Sequence, residues 1–123
     1  MKQFDVYVTK KVGALADVCE LLAKSAINIR AISTDGNTIR LVTEDERTTM
    51  DALKKARLNF TDSDILSVRL IDRPGELAKV ARALAREGIA IESVYILDRD
   101  KERGETEIAL KVDNLAKAKK ILK

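Results

Sequence analysis

At 123 residues, 46% of them hydrophobic, the chain is long enough to build a core as one ordinary domain or as two small ones. Its formal charge of +3 arises from 23 basic and 20 acidic residues interleaved along most of the sequence, the pattern of a solvated surface rather than of a nucleic-acid-binding stripe. Histidine is absent, the lone Cys19 excludes an intramolecular disulfide and a clustered Cys/His metal site, and no apolar run approaches the roughly 18 residues of a membrane span.

A reducing, cytoplasmic location is expected, with no cofactor and with neither nucleic acid nor membrane as partner. The start Met1-Lys2-Gln3-Phe4-Asp5 breaks any signal-peptide pattern with a charge, so the mature chain is expected to begin there.

In chain order, Phe4, Val6 and Val8 alternate with Asp5, Tyr7 and Thr9, which predicts a half-buried strand. From Gly13 the spacing of Leu15, Val18 and Leu22 predicts a helix with one buried stripe, and Cys19 lies beside it as a small buried residue. Ile27 and Ile29 open a second strand. Asp35-Gly36 signals a two-residue hairpin into a third strand, "TIRLVT". Met50, Leu53 and Ala56 have helical spacing within Asp45 to Leu58, and a short strand over 58–62 follows.

The series then repeats. Laid over one another at an offset of 62, "GALADVCELLAKSAINIR" from Gly13 and "GELAKVARALAREGIAIE" from Gly75 agree at eight of eighteen positions. Leu66, Val68 and Leu70 repeat the first strand, and Leu77, Val80 and Leu84 the helical stripe. Gly88 closes that helix, and Ile89 and Ile91 open the next strand as further core residues. The turn "DRDKERGE" is about seven residues longer than its counterpart and heavily charged, and is expected to be a mobile loop. Leu115, Ala118 and Leu122 predict a last helix with Asp113 as its N-cap, and Lys117, Lys119, Lys120 and Lys123 as its wet face.

The predicted class is α+β: two ferredoxin-like βαββαβ units, over 1–62 and 63–123, each an antiparallel sheet with helices on one face. The second unit lacks its own last strand. Its open edge is a pairing template, expected to be filled by the linker region, the other unit or a second chain.

The stretch "DRPGEL", Asp72 to Leu77, joins strand to helix and holds the only proline. First-turn amides of a helix are unpaired and carry partial positive charge, so a carboxylate is stabilised there without a charged side chain. Gly75 and Gly13 permit close approach to that backbone, Pro74 fixes the path of the chain, and Asp72 offers a receptor for an ammonium group. A second reading stands beside this one. Pro-Gly is ordinary turn chemistry, and Asp72 is equally suited to cap the helix by accepting the same N–H groups. Arg73 and Glu76 are exposed on either reading, with Arg73 suited to an anionic ligand, and Asn28 either bonds a ligand or ends a turn.

Two tandem units of this layout, each with a glycine opening the first helix, then L-A-x-V-x-x-x-L and an Ile-x-Ile strand, resemble ACT domains. "DRPGELAKVARALAREGIAIESV" is the most characteristic stretch, through Asp72, Pro74, Gly75 and Leu77. The first unit, "TKKVGALADV", keeps Gly13 and Leu15 but has Val12 in place of the proline and Lys10 in place of the acidic residue. The resemblance covers nearly the whole chain and extends to free-standing proteins made of two ACT domains. It implies a regulator that binds a small molecule, most often an amino acid, in a crevice where two such domains meet. Asp72, Arg73, Pro74, Gly75, Glu76 and Leu77, with Val12, Gly13, Ala14, Leu15 and Asn28, are the ligand-binding candidates. A homodimer is expected, acting on an enzyme or regulator protein.

Catalysis is not expected. Glu44, Asp45, Glu46, Asp98 and Asp100 fall in charged loops where nothing raises a carboxylate pKa, and phosphate-cradling glycine motifs are absent. Two other readings remain open. One is a ligand-free dimerisation module built on the open sheet edge. The other is a single-strand RNA binder, which needs exposed aromatics such as Tyr7 and Tyr95 for stacking.

Overall fold

The computed structural model describes residues 1–9 and 12–122; Lys10 and Lys123 lie outside the described residues. The chain forms two compact units, Met1–Ser63 and Asp64–Lys123.

The first unit runs β1 (Lys2–Tyr7), α1 (Ala14–Lys24), β2 (Ile29–Asp35), β3 (Thr38–Thr43), α2 (Glu46–Lys55) and β4 (Asn59–Asp64), in a sheet ordered β2-β3-β1-β4. Alternation along β1 and β3 sends Phe4, Val6, Ile39 and Leu41 to one face, where Val18 and Leu22 of α1 and Ala52 and Leu53 of α2 cover them. Phe60 of β4 adds an aromatic contact, its ring centroid 6.2 Å from that of Phe4.

The second unit runs β5 (Leu66–Ile71), α3 (Glu76–Arg86), β6 (Ile91–Asp100), β7 (Glu105–Val112) and α4 (Leu115–Ile121). Its sheet has three strands, β5-β7-β6, so β5 is an edge where its counterpart β1 is interior. Leu66, Ile108, Leu110 and Val112 meet Val80 and Leu84 of α3 and Ala118 of α4. The α+β class and the missing fourth strand of the second unit are as the sequence predicts.

Several local expectations need correction. The first hairpin turns one residue later than expected, since Asp35 pairs with Thr38 and Gly36-Asn37 form its loop. In α2 it is Thr49, Ala52 and Leu53 that are buried, while Ala56 is the exposed C-cap. Thr49 is tolerated there because its hydroxyl bonds the Thr43 hydroxyl at 2.6 Å and the Asp45 carbonyl at 2.7 Å. Cys19 is half-buried rather than sealed in the core. The N-cap of α4 is Asn114, whose side chain accepts from the Lys117 N–H, whereas Asp113 accepts from the Ala90 N–H.

The largest difference concerns "DRDKERGE". Asp98 to Asp100 continue β6, Glu105 opens β7, and only the four residues between them turn. Asp100 stabilises the turn by accepting from the Glu102 and Arg103 N–H groups, and Gly104 takes the positive φ that ends it. Charge predicted a loop, but a hairpin arm standing clear of a core can be polar on both faces and still pair. A register shift in β6 between Ile96 and Asp98 accommodates an extra residue.

The helix ends show what duplication has left unmatched. At the end of α3, Gly88 N–H bonds Ala85 O and Ile89 N–H bonds Leu84 O, the paired bonds of a Schellman motif, with Gly88 at φ 71°. The same bonds close α1, Ala26 to Ala23 and Ile27 to Leu22, but there the left-handed residue is Ala26 at φ 55°. An alanine in this region costs roughly 1–2 kcal/mol, against roughly 0.5–1 kcal/mol of extra unfolded-state entropy for glycine. Ala26→Gly is therefore expected to stabilise the protein by about 0.5–1 kcal/mol, measurable as a raised midpoint in urea with unchanged m-value.

Candidate functional site

In the second unit the chain passes from β5 to α3 through Asp72, Arg73, Pro74 and Gly75. Gly75 takes φ 90° as the residue preceding the helix, and Gly13 takes φ 92° before α1. A glycine is needed at both because of the dihedral and not for want of space, since a Cβ built at either would meet nothing within 4 Å. Neither helix has a side-chain cap.

Asp72 is tied to the β6–β7 hairpin. Its carboxylate does not cap α3 but faces Arg99, with Oδ2 3.5 Å from the guanidinium, and its N–H donates to the Gly104 carbonyl at 2.8 Å. Both partners belong to the extended β6–β7 hairpin, so the loop is joined to that arm. The first regular helical bond of α3 runs from Lys79 N–H to Gly75 O, and the Glu76 N–H reaches Arg73 O only at 3.5 Å. The Leu77 and Ala78 amides precede that first bond, as first-turn amides do.

Arg73 does not project freely. Glu76 accepts from Lys79 Nζ at 3.0 Å and from Arg73 Nε at 3.2 Å, and these bonds hold the Glu76 carboxyl below glutamate's ordinary pKa.

Leu15 and Leu77 are the informative corrections. Helical spacing predicts them in the buried stripe, yet they are 40% and 45% exposed, whereas Val18, Leu22, Val80 and Leu84 of the same stripes are buried. Each leucine instead lines a cavity beside its loop. The first, about 300 Å³, is bounded by Val8, Gly13, Ala14, Leu15, Thr34 and Ile39, with no charged side chain among its described lining residues. The second, about 150 Å³, lies between Leu70, Ile71, Leu77, Ile96 and Ile108, with Asp72, Arg73, Glu76 and Arg99 also along it.

The loop candidates are therefore gathered unevenly. Asp72, Arg73, Glu76 and Leu77 share the second cavity, while Pro74 and Gly75 shape the path into the helix. Gly13, Ala14 and Leu15 share the first, and Val12 is fully exposed beside it. Asn28 is not brought to either. It stands beyond the far end of the 11-residue α1, where its carbonyl accepts from the Glu44 N–H and its side-chain amide reaches the Glu44 carboxylate at 3.5 Å.

One residue of the second cavity was not anticipated. Thr106 of β7 is buried at 7% exposure, and its hydroxyl has no hydrogen-bond partner among the described residues. The sequence did carry a signal: Thr106, Ile108, Leu110 and Val112 form one period-two series, so a hydroxyl stands where the core-facing pattern calls for hydrocarbon.

Each helix-opening glycine, without a side-chain cap and beside a cavity, is thus set in a duplicated βαββα frame. The ACT domain pair family profile covers residues 1–123. The chain belongs to the ACT domain pair family. Such pairs are a regulatory domain type. Among solved structures, a protein from Bacteroides thetaiotaomicron is 28% identical with a TM-score of 0.87, covering 98% of this chain and 85% of that one. The ligand-free regulatory subunit of aspartate kinase from Thermus thermophilus is 19% identical with a TM-score of 0.70, covering 98% and 86%. Aspartokinase III of E. coli, solved with aspartate and ADP, is 17% identical with a TM-score of 0.66, covering 99% of this ACT pair but 30% of that longer chain. The two kinase likenesses show a shared fold. No curated protein matches the chain.

Two outcomes follow from this geometry. Gly75→Ala should destabilise the folded ACT pair by a net of about 0.5–1 kcal/mol, the left-handed cost of an alanine less the unfolded-state entropy that glycine forfeits, read as a lower urea midpoint. Glu76, with its pKa depressed by Lys79 and Arg73, contributes stability that is present above the ordinary glutamate value of 4.5 and lost as pH falls through its lowered folded value. The melting-temperature gap between wild type and Glu76→Gln should accordingly be constant near neutrality and close progressively in a series of scans carried below pH 4.5.

Proposed function

We propose that this ACT pair is a non-catalytic regulatory module that binds a small amino acid at the β5–α3 loop, and that it acts as a homodimer on an enzyme or regulator protein. The carrying observation is the uncapped start of α3, with Asp72 drawn aside to Arg99 and Leu77 left open over an apolar cavity. These supply the three things a zwitterion needs. Backbone amides at a positive helix end suit its carboxylate, the Asp72 carboxylate suits its ammonium group, and the leucine-lined cavity takes its side chain. The corresponding Gly13 loop offers the first and last of these, with no Asp72 counterpart among the described residues.

Against catalysis stand the absence of histidine from the sequence and of any metal-binding cluster among the described residues. The carboxylates whose pKa is shifted, Asp45 and Glu76, are both pushed down, Asp45 chiefly by the Thr48 N–H it caps, which is the wrong direction for a general acid. Among the described residues no helix is long and apolar enough to cross a membrane.

A dimerisation module without ligand is the second reading, favoured by the β5 edge and by exposed Ile71, Val94 and Ile96 nearby. RNA stacking has less support: Tyr7 directs its hydroxyl to Thr61 at 3.0 Å, and Tyr95 is half-buried.

A thermal-shift screen of the proteinogenic amino acids at millimolar concentration separates these. At 100 times its Kd a ligand adds about 2.7 kcal/mol to stability, so at least one amino acid should raise the melting temperature by several degrees, and Asp72→Asn should weaken that response at least tenfold in ligand concentration. A flat screen with a dimer by light scattering would leave the dimerisation module, and salt-sensitive binding of single-stranded RNA would point to the other class.

A further inference from the structure

We propose that the second-unit cavity selects amino acids whose side chain carries an uncharged hydrogen-bonding group, a hydroxyl or a carboxamide, and that the Thr106 hydroxyl is the group that reads it. This rests on the amino-acid reading of the β5–α3 loop and deepens it by naming the side-chain class.

Three observations converge. Thr106 is more than nine-tenths buried, lines the cavity and leaves its hydroxyl unpartnered, a state that is rare and costly in a folded protein. The walls around it, Leu70, Leu77, Ile96 and Ile108, are hydrocarbon, so a ligand side chain is the element able to supply the missing bond. At about 150 Å³ the space falls below the roughly 300–1,000 Å³ of pockets for drug-sized ligands, which restricts the occupant to a short side chain.

The same geometry rejects the other classes. A hydrocarbon side chain would fill the space and leave the hydroxyl orphaned, the situation in which a polar site discriminates against an apolar isostere. A charged side chain would find no counter-ion at the base, because the charged neighbours are paired with one another, Asp72 with Arg99 and Glu76 with Arg73 and Lys79. Arg99 lies directly across the β6–β7 ladder from Thr106.

The first unit has no equivalent. Val6 pairs with Ile39 as Val68 pairs with Ile108, so the residue in register with Thr106 is Asn37, which lies in the two-residue turn. Selection by a buried hydroxyl belongs to the second unit alone.

Isothermal titration calorimetry of the full chain tests this with threonine against valine, and asparagine against leucine, as polar and apolar counterparts. In wild type, at least one polar member should bind about tenfold or more tightly than its counterpart. Thr106→Val should reduce that preference to within about twofold by weakening the polar member, and Thr106→Ser should retain it. Without ligand, Thr106→Val should melt a few degrees above wild type, because it removes an unsatisfied group. Equal or tighter binding of the apolar member to wild type, a preference that survives Thr106→Val, or a lower melting point of that variant would each overturn the proposal. Amino-acid binding that ignores Thr106 would overturn this inference and leave the regulatory reading standing, whereas no amino-acid binding to wild type would remove both.

Discussion

A chain that leaves a strand and enters a helix within a few residues must turn through a backbone conformation that side chains resist, and in both units a glycine at φ near 90° makes that turn. The dihedral has a second effect. Glycine has no side chain to cap the helix it precedes, so the first-turn amides remain available in a way that those of α2 and α4 are not, where Asp45 and Asn114 accept from them. One sequence therefore builds helix starts of two kinds. The closed ones are capped by Asp45 and Asn114, and the open ones stand beside cavities lined by Leu15 and Leu77.

The second-unit cavity owes its form to the hairpin opposite the loop. Because β6 and β7 continue past the point where the first-unit hairpin has turned, β5 keeps its partner through Ile71, and the Asp72 N–H finds the Gly104 carbonyl beyond it. Arg99 and Thr106 enter from the same arm. The loop is thus held by backbone pairing and by one exposed ion pair, an interaction that solvent weakens and a competing charge can exchange.

Much of the fold was legible in the sequence. Period-two alternation located β1 and, through the repeat, β5; the hairpin signal at Asp35-Gly36 located β3, helical spacing located all four helices, and the repeat at 62 residues implied two units of one design. What misled was the assumption that a periodic position is a buried one. Leu15 and Leu77 keep helical register but lie in the first turn, away from the side chains that cover Val18 and Val80, so periodicity could not distinguish a core residue from a cavity wall. Charge misled in the other direction at "DRDKERGE", where pairing needs backbone groups and not apolar side chains. At Asp113-Asn114 two good capping residues are adjacent, and only the Ala90 N–H across the unit decided which one was free to cap α4. The Gly75 loop was legible because duplication displayed it twice. Thr106 is barely distinguished by sequence, because a single threonine in a run of isoleucine and leucine is an ordinary strand residue, and its unpartnered hydroxyl is what sets it apart.

The irregularity in β6 decides the polarity of the cavity entrance. Ile96 pairs with Ile108 on the helix-covered side, and an unbroken ladder stepping forward two residues on β6 and back two on β7 would set Asp98 against Thr106; the additional residue, Leu97, moves the pairing along by one and sets Arg99 there instead. A single inserted position thereby exchanges an anion for a cation at the entrance, and through it gives Asp72 a partner rather than a rival.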